Sequence, residues 1–110
     1  MTVYVDDMYL LPMGRYNRMK MSHMIATTDD ELHAMAARIG VARKWFQDVP
    51  SGAHYDVSMS MRSRALECDA MAITVRQLSS MCAIRRHDGT LPTDPVAAEQ
   101  LWKIYIRSQA

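Results

Sequence analysis

The stretch richest in chemistry is His54-Tyr55-Asp56, which follows Gly52 and leads into residues 57–66 with Arg62 and Arg64. An imidazole, a phenol and a carboxylate side by side can donate, accept or ligate. Asp6 ends one β-branched run and His23 stands near the start of an alternating one, adding a second carboxylate and a second imidazole. Asp6, His23, His54 and Asp56 suffice for general acid–base work on a phosphoester or glycosidic bond if they reach the reacting atoms. The same four offer mixed N/O donors for a divalent metal. Their spacing is too dispersed for a metal motif, with no HxH, HExxH or Cys/His cluster, so no metal ligand is assigned from the sequence. Cys68 and Cys82 are expected on inward helical stripes, where thiols act as small apolar groups rather than nucleophiles.

A helix is expected to open at His54-Tyr55-Asp56 and to run to about Asp69, with Val57, Met61 and Ala65 facing inward. Free backbone N–H groups and the helix dipole at such an end favour anions. Ser58 and Ser60 lie near it, and Arg62 could grip a phosphate with two bonds if it faces the site. Gln47 and Tyr55 are further candidate ligand contacts. Taken alone, Asp56 also reads as a plain helix N-cap.

The elements that must position these residues follow from the pattern. Thr2-Val3-Tyr4-Val5 reads as a buried strand ending at Asp6-Asp7, and residues 8–21 as an irregular loop containing Arg15, Arg18 and Lys20. Ser22 to Ala26 reads as a second strand. Thr28 and Glu31 form a capping-box pattern before a helix over 29–39, with Leu32, Met35, Ala36 and Ile39 on one face and Gly40 just past its end. Residues 44–47 read as a strand with Trp45 in the core, and 71–73 as another. Thr74 with Gln77 opens a helix over 75–86, and Asp94 with Pro95 opens a last one bearing Leu101, Ile104 and Tyr105. This alternation predicts an α/β fold: a small three-layer domain over residues 1–87 with a short, mainly parallel four-stranded sheet. Residues 88–110 form a linker and a C-terminal amphipathic helix that packs on its own domain or on a second subunit. Parallel strands would bring Asp6, Gln47 and His54-Tyr55-Asp56 to one rim.

Several of these segments also carry a resemblance. Tyr4-Val5-Asp6-Asp7, Ser22-His23-Met24, Glu31-Leu32-His33-Ala34-Met35-Ala36 with Ile39-Gly40, Trp45-Phe46-Gln47, His54-Tyr55-Asp56-Val57, Arg62 and Ala70-Met71-Ala72-Ile73-Thr74 resemble the bacterial and phage family called Domain of Unknown Function 4031. The likeness spans about residues 1–86. Asp69 stands where the family pattern has glycine, and Met61 where it has lysine. The resemblance implies a bacterial or phage setting and no particular activity.

With 110 residues, 49% of them apolar, the chain is long enough for one modest core and too apolar to be disordered. A formal net charge of +1 argues against a protein that coats nucleic acid. No stretch approaches the ~20 apolar residues of a membrane span. Two cysteines without CxxC spacing, and an opening segment without a basic n-region, point to reduced thiols in the cytoplasm. The expected function is a site for a phosphate-bearing, nucleotide-like small molecule, with His/Asp acid–base hydrolysis as its activity. The alternative is a non-catalytic module that sequesters a ligand or holds a protein, with a homodimer through the C-terminal helix.

Overall fold

A computed structural model of the protein describes residues 2–16, 18–50 and 52–109. Its centre is the strand β3 (Met19–Ala26), which pairs antiparallel with β1 (Val3–Val5) and with β4 (Tyr55–Ser58). The start of β3 forms a hairpin with β2 (Arg15–Tyr16), and β1 pairs in parallel with β5 (Met71–Ala72). The fold is α/β as expected, but the five-stranded sheet is mixed, not mainly parallel with four strands. The reason is the link between β1 and β3. It holds two short 3-10 turns, Met8–Leu10 and Pro12–Gly14, and the hairpin, but no crossover helix. Parallel neighbours need such a crossover and antiparallel ones do not. The expected loop over 8–21 is thus partly structured, and β3 begins three residues before Ser22. Asn17, within that expected loop, lies outside the described residues.

Strand alternation sends successive side chains to opposite faces. Val3, Val5, Met24, Ala26, Tyr55 and Val57 pack against α1 (Asp29–Ile39) and α2 (Met59–Glu67). Tyr4 and Ile25 pack on the other face, against α3 (Val75–Asp88) and α4 (Pro95–Gln109). The helix ends are set locally. Thr28 accepts from the Glu31 N–H, Asp94 from those of Val96 and Ala97, and Thr74 with Gln77 makes a full reciprocal capping box. Two helices end in the same motif. After α1, Val41 N bonds Ala36 O with Gly40 at φ 89. After α2, Ala70 N bonds Ala65 O with Asp69 at φ 72. Both are Schellman caps, whose left-handed residue is normally glycine. Asp69 thus holds, as a non-glycine residue, a left-handed position that glycine normally takes.

Three expectations are corrected. No helix opens at His54-Tyr55-Asp56. That stretch is strand, because Tyr55 and Val57 alternate inward, and the cap of α2 is Ser58, which accepts from Met61 N. The N-cap reading of Asp56 falls with it, and the helix N-terminus lies instead at Ser58, beside Ser60. Residues 44–47 are not a strand: Arg43–Trp45 is a 3-10 turn, and only Gln47 pairs, in a single bridge to His54. Trp45 is 61% exposed instead of core, with Lys44 Nζ 5.2 Å from its ring centroid. The expected stripe of α4 also lies outward. Leu101 and Ile104 are exposed, while Ala98 and Trp102 meet α3. No helix among the described residues is long and apolar enough to cross a membrane.

Candidate functional site

Register and alternation assemble the site. Antiparallel pairing sets His23 directly opposite Asp56, and Tyr4, Ile25 and Asp56 share the α3 side of the sheet. His54, two residues before Asp56, points to the same side, because i and i+2 of a strand share a face. The Gln47–His54 bridge, with backbone bonds of 2.9 and 3.0 Å, fixes the approach to β4.

Asp6 is fully buried at the end of β1. Its Oδ1 accepts from Met8 N at 3.1 Å and His23 N at 2.9 Å, and its Oδ2 faces His23 Nδ1 at 2.7 Å. A carboxylate can only accept, so His23 carries its proton on Nδ1. His54 Nδ1 lies 2.7 Å from the carbonyl of Gly52, and a carbonyl likewise requires the proton on Nδ1. Both imidazoles, when neutral, therefore present a bare Nε2. Asp56 Oδ1 lies 3.5 Å from His54 Nε2 and 3.9 Å from His23 Nε2. Gln47 Nε2 donates to the other oxygen, Oδ2, at 2.8 Å. Asp56 Oδ1 is buried without a hydrogen-bond partner among the described residues, since 3.5 Å is too long for a good bond. One ligand atom each from His23, His54 and Asp56 lies within 4.8 Å of the others, so these three could hold a metal ion.

The electrostatics follow from this crowding of acceptors. The Asp56 carboxylate beside His54 raises the His54 pKa against the opposing effect of burial, helped by the Gly52 carbonyl. The His54 ring in turn lowers the Asp56 pKa, against burial and with help from Gln47. The cluster attracts positive charge.

The cluster opens into a cleft of about 310 Å³ lined by His23, Ile25, Gly52, His54, Leu78, Ser79, Cys82 and Arg86. Burial pushes the Cys82 thiol up, which keeps it protonated and a poor nucleophile.

Residues 3–85 match the family described as "Protein of unknown function (DUF4031)". The chain belongs to this family. No curated protein and no solved structure matches it. The family's span contains the whole cluster, from Asp6 to Asp56, and stops short of α4.

The sequence-predicted residues divide sharply. His23, His54 and Asp56 come together, while Asp6 and Gln47 hold two of them from behind. Tyr55 goes to the opposite face, where its hydroxyl meets His33 Nδ1 at 2.7 Å beside Phe46. Arg62 does not line the cleft. Its Nε donates to the Asp6 carbonyl at 2.9 Å and its guanidinium lies over Tyr9, tying α2 to the end of β1. Asp7 is a helix cap, its Oδ1 accepting from Val75 N at 2.8 Å. Reasoning from sequence missed the cleft wall, Gly52, Ser79, Cys82 and Arg86. The legible signal was in α3 itself, where positions 78, 79, 82 and 86 recur at helical spacing on one side.

Proposed function

We propose that the protein is a hydrolase of a phosphate-bearing small molecule, nucleotide-like in size, acting in the cleft between β3–β4 and α3. The observation that carries this reading is the pair of imidazoles with Nε2 bare, each fixed through Nδ1, beside the unpartnered Asp56 oxygen. Such a cluster accepts positive charge, which activating a water molecule for attack requires. In the hydrolytic step the water oxygen bonds to phosphorus and the ester P–O bond breaks. The water proton passes to the cluster, and the leaving oxygen takes up a proton from it. Arg86 on the cleft wall supports an anionic substrate, and the cleft's volume suits a ligand near the small end of the usual range.

The test is incubation with a mixture of nucleotides and sugar phosphates, followed by mass spectrometry of the released small molecules. Hydrolysed products are expected from the native protein and not from His54→Ala or Asp6→Ala. Return of every compound unaltered, with and without added divalent cations, rejects the reading. A second reading, a module that pairs with another chain, is favoured by Val96, Leu101, Ile104 and Ile106 lying exposed along α4. It requires a dimer mass by light scattering.

A further inference from the structure

The geometry points to a divalent transition-metal ion bound by His23 Nε2, His54 Nε2 and Asp56 Oδ1. Asp6 and the Gly52 carbonyl commit both Nδ1 atoms as donors, so in the neutral rings the two Nε2 atoms offer only lone pairs. Asp56 Oδ1 offers another, and it is buried and without a hydrogen bond. Three acceptors thus face one another within 4.8 Å, with no donor among them. A single proton on one ring relieves one contact, and the 3.5 Å separation is long even for that one. A cation between them engages all three.

The surroundings match those of a built metal site. Ligating histidines usually donate their other N–H to a carboxylate or a backbone carbonyl, and ligating carboxylates are themselves hydrogen-bonded. Here Asp6 serves His23, the Gly52 carbonyl serves His54 and the Gln47 amide serves Asp56. An ion with bonds of ~2.0–2.1 Å needs its ligand atoms roughly 3–3.4 Å apart. The separations from Asp56 Oδ1 are 3.5 and 3.9 Å and the three groups lie within 4.8 Å of one another, so the side chains close by about 1–1.5 Å at most around an ion. Two imidazoles and one carboxylate suit zinc, iron(II), manganese or cobalt. Three protein ligands leave the remaining positions open toward the cleft, the arrangement of catalytic and not structural ions. A bound water there would lose its proton near neutral pH. The ion site itself rests on geometry alone; its use in hydrolysis rests on the function proposed above.

The test uses the full chain stripped with chelator and refilled with Co²⁺ or Zn²⁺ in the absence of substrate. The expected result is one ion per chain, visible Co²⁺ absorption bands, and large ¹⁵N shifts on Nε2 of His23 and His54 when zinc binds. His54→Ala and Asp56→Asn should each weaken zinc binding by at least about tenfold. His33→Ala, on the opposite face, should leave it unchanged. Because the ¹⁵N shifts are read in the native sequence, a variant that fails to fold does not spoil the test. Absence of bound ion, or binding that leaves both Nε2 resonances unmoved, overturns the proposal. Metal bound as expected with every phosphate compound returned intact would sink the hydrolase reading alone. Hydrolysis undiminished in chelator with no ion bound would sink the metal site alone.

Discussion

The buried carboxylate of Asp6 offers the sharpest perturbation. Its Oδ1 accepts two backbone N–H groups, from Met8 and His23, and its Oδ2 faces His23 Nδ1. In Asp6→Asn the two backbone donors hold the amide oxygen where Oδ1 was, because an NH₂ group there would meet them donor to donor. The amide nitrogen must then face His23 Nδ1, which becomes an acceptor, and the ring proton moves to Nε2. The shape survives while the lone pair aimed at the cleft is lost. Weakening charge-assisted bonds to neutral ones, partly offset by relief of a buried charge, should lower stability by about 1–2 kcal/mol. Asp6→Ala strands all three donors and should lower it by about 3–5 kcal/mol. Urea unfolding of the metal-free protein, with a slope of about 1–2 kcal/mol per M, should place the Asn midpoint about 1 M and the Ala midpoint about 2–3 M below that of the native protein. Long-range ¹H–¹⁵N spectra report which ring nitrogen of His23 carries the proton. If Nε2 stays bare in Asp6→Asn, or if Asp6→Ala stays within about 0.5 kcal/mol of the native protein as a surface change would, the assignment of Asp6 as the residue that sets the His23 tautomer is wrong.

Two further predictions concern backbone positions. At Gly52, φ is +142 and an added Cβ would lie 2.9 Å from Cys82 Sγ and 3.3 Å from Arg85 Nη2, so Gly52→Ala should displace the carbonyl that holds His54 and weaken zinc binding. Gly89→Ala, at φ +87 with open space around it, should lower stability by about 1 kcal/mol and leave zinc binding intact. Equal loss of zinc affinity in the two variants, measured by titration calorimetry, would contradict the role given to the Gly52 loop. Asp69→Gly should relieve the left-handed strain at φ 72 and stabilise the protein by about 0.5–1 kcal/mol, a rise in melting temperature of about 4 °C. A calorimetric scan with no rise, or a fall, would show that Asp69 carries no strain worth relieving.

The parts of the fold that were legible in the sequence are those specified locally. The bounds of α1, the capping box at Thr74 and the Asp94-Pro95 start of α4 all come from residues within one turn of the feature they set. The sheet was misjudged because pairing is non-local: the side on which β3 lies, and its direction, depend on a link of two 3-10 turns and a hairpin with no helical period. In the candidate cluster, residue type alone singles out Asp6, His23, His54, Asp56 and Gln47, while the register that sets His23 opposite Asp56 is not visible in the sequence. A short apolar/polar alternation such as Tyr55-Asp56-Val57 fits either a strand or one edge of a helix. Read as a strand, His54-x-Asp56 is itself a two-ligand spacing on one face. Read as a helix, it scattered those two side chains and drew Tyr55 and Arg62 into a site that neither of them lines.

The alternation of β4 has a consequence for how this protein can change. Between positions 54 and 57, reactive and core residues take turns, so His54 and Asp56 serve the cleft while Tyr55 and Val57 fill the opposite layer. A slip of β4 by one residue against β3 would exchange the two sets. The carboxylate and imidazole would be driven into the packed layer, and the phenol and isopropyl groups into the cleft. Reactivity and folding would then fail together. The packing that holds Tyr55 and Val57 in the core thus also fixes the face on which His54 and Asp56 stand, so the core protects the cluster's geometry.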